Sequence, residues 1–130
     1  MILTVAGATL NQTPIDWAGN LSRIHQAIQE AREQQIDILC LPELCVTGYG
    51  CEDLFLSDWI YRKALDVLPD IVSACQDITV AVSLPMLYEG KRYDTACLIH
   101  NQQILGFTAK QYLANDGVHY EPRWFTRGCL

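Results

Sequence analysis

Two charged residues each follow an apolar, strand-like segment, where their side chains could carry out acid–base chemistry. Glu43 comes directly after the apolar run 39–42, and Lys110 comes directly after the run 106–109. In α/β sheets, loops at strand ends present reactive groups. A carboxylate held there among apolar neighbours is expected to have a raised pKa and to act as a general base. A lysine beside it could stabilise an oxyanion.

Each of these residues also has an ordinary interpretation. A glutamate after a strand commonly caps a turn or pairs with a surface lysine, and an isolated lysine is normally solvated. The pair therefore carries more weight than either residue alone. The later segment Tyr120–Phe125, which contains Glu121, concentrates charges and aromatic rings. Such a segment is as typical of an Arg–Glu pair with a packed Trp on the surface as of a loop that lines a site.

The spacing of apolar residues predicts the elements that position these groups. An apolar run predicts a buried first strand at Ile2–Leu10. Helical spacing over Trp17–Ala31 predicts an amphipathic helix, and Asp16 is well placed to cap it. A second strand is expected at 36–41, and Pro42 ends it because proline cannot donate to a sheet ladder.

After a glycine-rich bend, helical spacing returns over Ser57–Cys75, where Pro69 predicts a kink or a break. Three strands follow, and the last two form a hairpin with Asn101 in the turn. Their predicted bounds are Ile78–Leu84, Tyr93–His100 and Gln103–Ala109. This order favours an α/β layered fold with a mixed sheet. With neither a linker nor a repeat in the sequence, we expect one domain or part of one.

The composition argues against several functional classes. Nine basic residues stand against 15 acidic ones, which gives a formal net charge of -6, and no segment gathers Lys or Arg. A nucleic-acid or anionic-membrane surface is therefore not expected. No apolar stretch approaches the roughly 18 to 20 residues that span a bilayer, and no basic leader with a cleavage site precedes the first strand. We expect a soluble, cytoplasmic protein.

The six cysteines are interpreted as reduced thiols. No C-x-x-C pair occurs and the three histidines lie far apart in the sequence, so no metal site is expected. Cys40 and Cys97 fall within strands and are expected to be core residues. Cys51 lies in the loop after Glu43, where a buried or incidental, unreactive thiol is expected. Cys129 lies in the terminal segment.

The motifs around Glu43 and Lys110 resemble those of the carbon–nitrogen hydrolase superfamily. Residues 39–44 followed by Thr47-Gly48-Tyr49 look like its glutamate motif, and Lys110 with Leu113 and Tyr120-Glu121 resembles its lysine motif. More narrowly, the runs 48–53, 113–117 and 123–126 are similar to the amidase domain of the glutamine-dependent NAD synthetases.

This resemblance implies a nitrilase-type α-β-β-α layered sandwich with mixed sheets, and a Glu–Lys–Cys triad that hydrolyses glutamine. Glu43 would be the general base, Lys110 would stabilise the tetrahedral intermediate, and Glu121 would orient the lysine and substrate. The ammonia would pass to a separate synthetase domain, which uses ATP and Mg to amidate deamido-NAD to NAD. The resemblance implies no cofactor in the amidase domain, and a homo-oligomer for the full-length protein.

In this family the nucleophilic cysteine follows a later strand, so we expect it beyond Leu130, with the rest of its domain and the synthetase domain. Residues 1–130 would then be a partial carbon–nitrogen hydrolase (glutamine amidase) domain, inactive alone. We expect poor solubility or dependence on a partner chain, because strand edges and a sheet face would stay open. Two alternatives remain: a non-catalytic binding or assembly module, and another carbon–nitrogen hydrolase such as an aliphatic amidase.

Overall fold

A computed structural model describes residues 1–128, which form a five-stranded mixed sheet with two α-helices. In chain order the elements are β1 (Val5–Gly7), α1 (Trp17–Glu33), β2 (Ile38–Cys40), a 3-10 segment (Tyr49–Leu56), α2 (Asp58–Ala74), β3 (Thr79–Tyr88), β4 (Lys91–His100), β5 (Gln103–Ala109) and a short 3-10 turn (Glu121–Arg123). The sheet order is β1-β2-β3-β4-β5. The first three strands run parallel and the last three antiparallel. The predicted α/β fold with a mixed sheet is confirmed, and Cys129 lies outside the described residues.

Helix α1 forms as its sequence pattern predicts. The Asp16 carboxylate accepts a hydrogen bond from the Gly19 backbone N–H at 3.1 Å, which satisfies a free donor of the first turn. Ile24, Ile28 and Ala31 recur at three- and four-residue spacing and are buried against the sheet. The predicted cap and buried stripe are both confirmed.

Helix α2 continues through Pro69, so a break at this residue is wrong. Proline removes only the one backbone hydrogen bond that its N–H would have donated toward Leu65, and the Leu65 side chain is exposed. Ile60, Leu68 and Ile71 on the other side of the helix are buried and hold it in place. Neither α1 nor α2 has the length and apolar character of a helix that crosses a bilayer.

The two helices cover one face of the sheet and leave the opposite face open. Val80, Val82 and Ile99 point toward the helices and are fully buried in the main apolar cluster. Successive strand residues point to opposite faces, so Cys40 and Leu98 lie on the open face and are exposed. The prediction that Cys40 is a core residue is therefore wrong, although the same prediction for Cys97 is confirmed.

The ends of the sheet differ from the sequence pattern in two places. The predicted buried strand at Ile2–Leu10 shortens to Val5–Gly7, and Ile2 and Val5 are exposed because β1 is an edge strand with one open face. Strand β3, in contrast, extends beyond its predicted end to Tyr88, because it pairs with β4 along its whole length. The predicted hairpin of β4 and β5 is confirmed.

A second apolar cluster lies beside the main one and supports the loops that follow β2 and β5. Phe55 of the 3-10 segment is fully buried, and its ring centroid lies 4.9 Å from that of Phe125. Tyr61 of α2 donates a hydrogen bond to the Phe55 carbonyl at 2.7 Å. This cluster ties residues after Lys110 to residues after Glu43, which lie far away in the sequence.

Candidate active site

The three charged residues predicted to form a site meet at one edge of the open sheet face. The Lys110 Nζ lies 2.5 Å from the Glu43 Oε1. The same Nζ lies 3.1 Å from Oε1 and 3.0 Å from Oε2 of Glu121. Lys110 therefore bridges two carboxylates that come from separate loops.

Backbone contacts from neighbouring strands fix the positions of Glu43 and Lys110. Leu44, directly after Glu43, has a φ of 49°, a strained conformation for a residue with a side chain. Its N–H donates to the Ser83 Oγ on β3 at 2.8 Å, which holds this turn in place. The Lys110 N–H donates to the Asp94 carbonyl on β4 at 2.8 Å, and its carbonyl accepts from the Gly128 N–H at 2.9 Å.

Glu121 is a buried anion with a full set of partners. Its side chain is only 1% exposed. Besides Lys110, it accepts hydrogen bonds from the Tyr49 hydroxyl at 2.9 Å and from the Ala114 N–H at 2.7 Å. A buried charge persists only when it is paired and hydrogen-bonded, so Glu121 is placed to hold Lys110 from its protein side.

The Glu43 carboxylate is ionised more readily than an ordinary glutamate, which corrects the expectation of a raised pKa. Burial does act to raise the pKa of Glu43, but hydrogen bonds with Asp94 and Lys110, together with the Lys110 charge, outweigh it and lower the pKa. The sequence around Glu43 shows only its apolar neighbours, whereas these polar partners come from β4 and the end of β5. Glu43 is consequently a carboxylate, able to accept a proton, at neutral pH.

Lys110 and Tyr49 both keep their protons at neutral pH. Partial burial lowers the pKa of Lys110, but its hydrogen bonds and charge interactions with Glu43 and Glu121 raise it further, to well above the usual value. Burial and the hydrogen bond to Glu121 raise the pKa of Tyr49 to about 12. Lys110 therefore presents a fixed positive charge, as oxyanion stabilisation requires.

Asp94 is a further acidic residue at this site that the sequence motifs did not predict. It lies on β4, is 3% exposed, and offers one carboxyl oxygen within 4.8 Å of oxygens from Glu43 and Glu121. Burial, a hydrogen bond with Glu43 and the charge of Glu43 raise the pKa of Asp94 to about 8. An acidic residue inside a predicted strand, directly before the mostly apolar run 95–99, was the available signal. The cation that these carboxylates attract is the Lys110 ammonium.

Within residues 1–128, no cysteine is hydrogen-bonded to Glu43 or Lys110. Cys51 is 4% exposed, and its thiol donates to the Thr47 and Gly48 carbonyls at 3.3 and 3.2 Å. Burial raises the pKa of the Cys51 thiol, which disfavours the reactive thiolate. This agrees with the prediction that Cys51 is unreactive.

Arg123 and Trp124 anchor the loop that carries Glu121. The Arg123 guanidinium makes two hydrogen bonds to Asp53, at 2.7 and 2.6 Å, and the Trp124 Nε1 donates to the same carboxylate at 3.0 Å. Trp124 is buried beside Phe55. The Arg–Glu pair anticipated here is absent among the described contacts, because Arg123 pairs with Asp53 and Glu121 with Lys110.

Glu43, Asp94 and Lys110 line a shallow depression of about 260 Å³ on the open face of the sheet. Ser83 and Thr108 contribute hydroxyl groups to the same wall. The depression thus combines a proton acceptor, a fixed cation and small polar groups. That combination suits the cleavage of a small polar group such as an amide.

Comparisons with known proteins agree with this geometry. The model of the carbon-nitrogen hydrolase family matches residues 4–128. The glutamine-dependent NAD(+) synthetase of Arabidopsis thaliana is 37% identical over 127 residues, which are 96% of this chain and 18% of that protein. The crystal structure of a glutamine-dependent NAD(+) synthetase from Cytophaga hutchinsonii is 54% identical, with a TM-score of 0.93 over 96% of this chain and 22% of the other.

A more distant likeness extends to an amidase. A variant of the amidase from Nesterenkonia sp. AN1, in complex with butyramide, is 25% identical, with a TM-score of 0.82 over 98% of this chain and 49% of the other. These likenesses confirm the nitrilase-type fold class and the resemblance seen in the motifs. The chain spans less than a quarter of the length of either synthetase.

Proposed function

This chain belongs to the carbon-nitrogen hydrolase family, and we propose that it supplies the general base and the oxyanion-stabilising cation of a glutamine amidase. The observation that carries the proposal is the position of the Lys110 Nζ between the Glu43 and Glu121 carboxylates. An ordinary surface lysine does not bridge two carboxylates of which one is partly exposed and the other fully buried, as Lys110 does. Burying these charges costs free energy of desolvation. The positive charge held in this way would stabilise a reaction intermediate that builds up negative charge.

The surroundings of the three residues give each of them a different role. Glu43 is ionised and 38% exposed, so it can take a proton from an approaching thiol. Lys110 is permanently charged and points its ammonium toward the oxygen that becomes negative in the tetrahedral intermediate. Glu121, buried and bonded to Tyr49 and the Ala114 N–H, holds the lysine in place.

The nucleophile in this proposal is a cysteine beyond Leu130, in a longer polypeptide of which residues 1–130 would be one part. The thiols of Cys45, Cys51, Cys75 and Cys97 are buried, and Cys40 makes no hydrogen bond to either reacting group among the described contacts. Without that further cysteine, residues 1–130 alone would be inactive. The nucleophile-bearing half of the domain would pack on the open face, where Glu43 and Lys110 lie.

We propose glutamine as the substrate and a glutamine-dependent NAD synthetase as the whole protein. In it, the released ammonia would reach a separate domain that uses ATP and Mg to amidate deamido-NAD, in the cytoplasm and in a homo-oligomer. The identity of 54% to the synthetase from Cytophaga hutchinsonii, against 25% to the Nesterenkonia amidase, supports glutamine over a simple aliphatic amide.

The test uses the full-length polypeptide that contains this chain, with Glu43→Gln and Lys110→Met compared with wild type. We expect glutamine hydrolysis to fall by about 10²- to 10⁴-fold in Glu43→Gln, because the base is lost. NAD formation supplied with free ammonium should stay unchanged, because the synthetase chemistry does not use Glu43. Ammonia release and NAD formation are measured separately.

Matched controls make the same chemical changes away from the site. Glu89→Gln alters an exposed turn glutamate and Lys91→Met an exposed lysine, and both should keep wild-type rates. If Glu43→Gln hydrolyses glutamine like Glu89→Gln, the base assignment is wrong. Faster hydrolysis of aliphatic amides than of glutamine by the wild type would instead point to the amidase branch, and no hydrolysis at all to a binding module.

A further inference from the structure

Asp94 has a carboxyl oxygen that receives no hydrogen bond, at the centre of the acidic cluster. Its Oδ1 accepts a long hydrogen bond of 3.4 Å from the Ser83 hydroxyl. Its Oδ2 is buried and has no hydrogen-bond donor within the described residues. A buried ionised carboxylate with so few donors is costly, so the group must reduce that cost in some other way.

The neighbour that lies within reach of Asp94 is the Glu43 carboxylate, which is itself an acceptor. Two ionised carboxylates at this distance repel each other. One proton shared between them turns the repulsion into a hydrogen bond, as in other carboxyl pairs. Asp94 is almost fully buried whereas Glu43 is partly exposed and touches Lys110, so the proton belongs on Asp94.

We propose that Asp94 is a positioning residue for Glu43: as a neutral carboxylic acid it donates a hydrogen bond that orients the Glu43 carboxylate toward the reacting thiol. The inference rests on the proposed role of Glu43 as the base. It assigns to β4 a part in the chemistry that neither the glutamate motif nor the lysine motif contains.

A second contact lets Asp94 act on the backbone beside Glu43. The Ser83 hydroxyl that donates to Asp94 also accepts the hydrogen bond from the Leu44 N–H at 2.8 Å. Leu44 holds a left-handed conformation, which needs support from its surroundings. Asp94 thereby orients Ser83, and Ser83 anchors the strained residue directly after the base.

The groups that face Asp94 determine what happens when it loses its proton. Glu43 approaches from the loop after β2, Lys110 from the end of β5, and Glu121 from the turn that follows it, whereas β3 contributes the uncharged Ser83. Burial and the contact with Glu43 set the pKa of Asp94 to about 8. Above that pH, three carboxylates surround one ammonium and Glu43 loses its donor. Glutamine hydrolysis should therefore decline as the pH rises through this value.

The decisive variants are Asp94→Asn and Asp94→Leu in the full-length protein. Asparagine keeps a donor toward Glu43 at every pH, so activity at pH 7 should stay within about threefold of wild type, and the alkaline decline should disappear. Leucine keeps the branched shape of the side chain without a donor, and kcat should fall by about 10- to 100-fold through misorientation of the base, with little change in KM. Ser83→Ala is a milder change that should also lower kcat, and it replaces Asp94→Leu as the test if that variant fails to fold.

Infrared difference spectra provide a readout that does not depend on activity. A protonated carboxylic acid absorbs apart from carboxylates, so wild type minus Asp94→Asn should show this band well below pH 8 and lose it well above. Absence of the band throughout would overturn the proposal, as would an alkaline decline that persists in Asp94→Asn. If Glu43→Gln remains active while the band is present, the assignment of Glu43 as the base is wrong, whereas the protonation of Asp94 is supported.

Discussion

Replacing Lys110 with methionine tests how strongly the ammonium stabilises the site. Methionine keeps most of the length of the side chain and removes the charge. Glu43 is 38% exposed and can turn toward water, so the loss of its partly exposed ion pair should cost little. Glu121 is 1% exposed and cannot turn away. It keeps its two neutral donors, the Tyr49 hydroxyl and the Ala114 N–H, but loses the ammonium.

Breaking a buried ion pair by removing one partner typically costs about 3–5 kcal/mol. The two neutral donors that remain on Glu121 place the expected cost at the lower end of this range. We therefore expect the free energy of unfolding of Lys110→Met to be lower than that of wild type by about 3 kcal/mol at pH 7.

The assay is equilibrium urea unfolding of wild type, Lys110→Met, Glu121→Gln and the double variant at pH 7. Glutamine removes the buried charge that Lys110 balances, so the double variant should be more stable than the sum of the single effects predicts. Lys91→Met, an exposed lysine, serves as the control. A deficit under about 1 kcal/mol at pH 7 would refute the importance of the ammonium for stability.

Two further predictions concern other parts of the same site. Gly48 has a φ of 83°, and an added Cβ would lie 2.9 Å from the Pro14 nitrogen. Gly90 has a similar φ of 73°, but the space around it is open. We therefore expect Gly48→Ala to lower the thermal midpoint more than Gly90→Ala does. Because the pKa of Asp94 is raised, the folded state keeps a proton that the unfolded chain has lost. The free energy of unfolding should therefore fall as the pH rises from about 4 toward 8, with a slope of up to about 1.4 kcal/mol per pH unit. Urea unfolding of Asp94→Asn should show a flatter decline.

Local patterns predicted the parts of the fold that local contacts determine. The spacing of Ile24, Ile28 and Ala31 was sufficient for α1, and Asp16 marked its start. The turn at Asn101 was sufficient for the hairpin of β4 and β5, since the φ at this residue is positive and asparagine tolerates that conformation. The burial of Cys40 could not be read in this way, because the strand pattern does not reveal which face the helices cover.

The site was predicted as a set of residues but not as an electrostatic network. Glu43, Lys110 and Glu121 were identified from their motifs, and the structure brings them together. Asp94 and Ser83 were missed, and the direction of the pKa shift of Glu43 was wrong, for one reason. Their influence depends on the registers of β4 against β3 and β5, which place Asp94 and Lys110 beside Glu43 and which sequence spacing does not give.

The open face of the sheet, at whose edge Glu43 and Lys110 lie, links assembly to electrostatics. Any layer of protein that packs on it must also remove water from around this ion pair. Reducing the effective dielectric constant from about 80 to about 20 strengthens a Coulomb interaction about fourfold at a given distance. The ammonium would therefore act more strongly on a developing oxyanion in the assembled state than in the open one. A partner that covers this apolar surface would thus also determine how strongly the permanent charge of Lys110 acts.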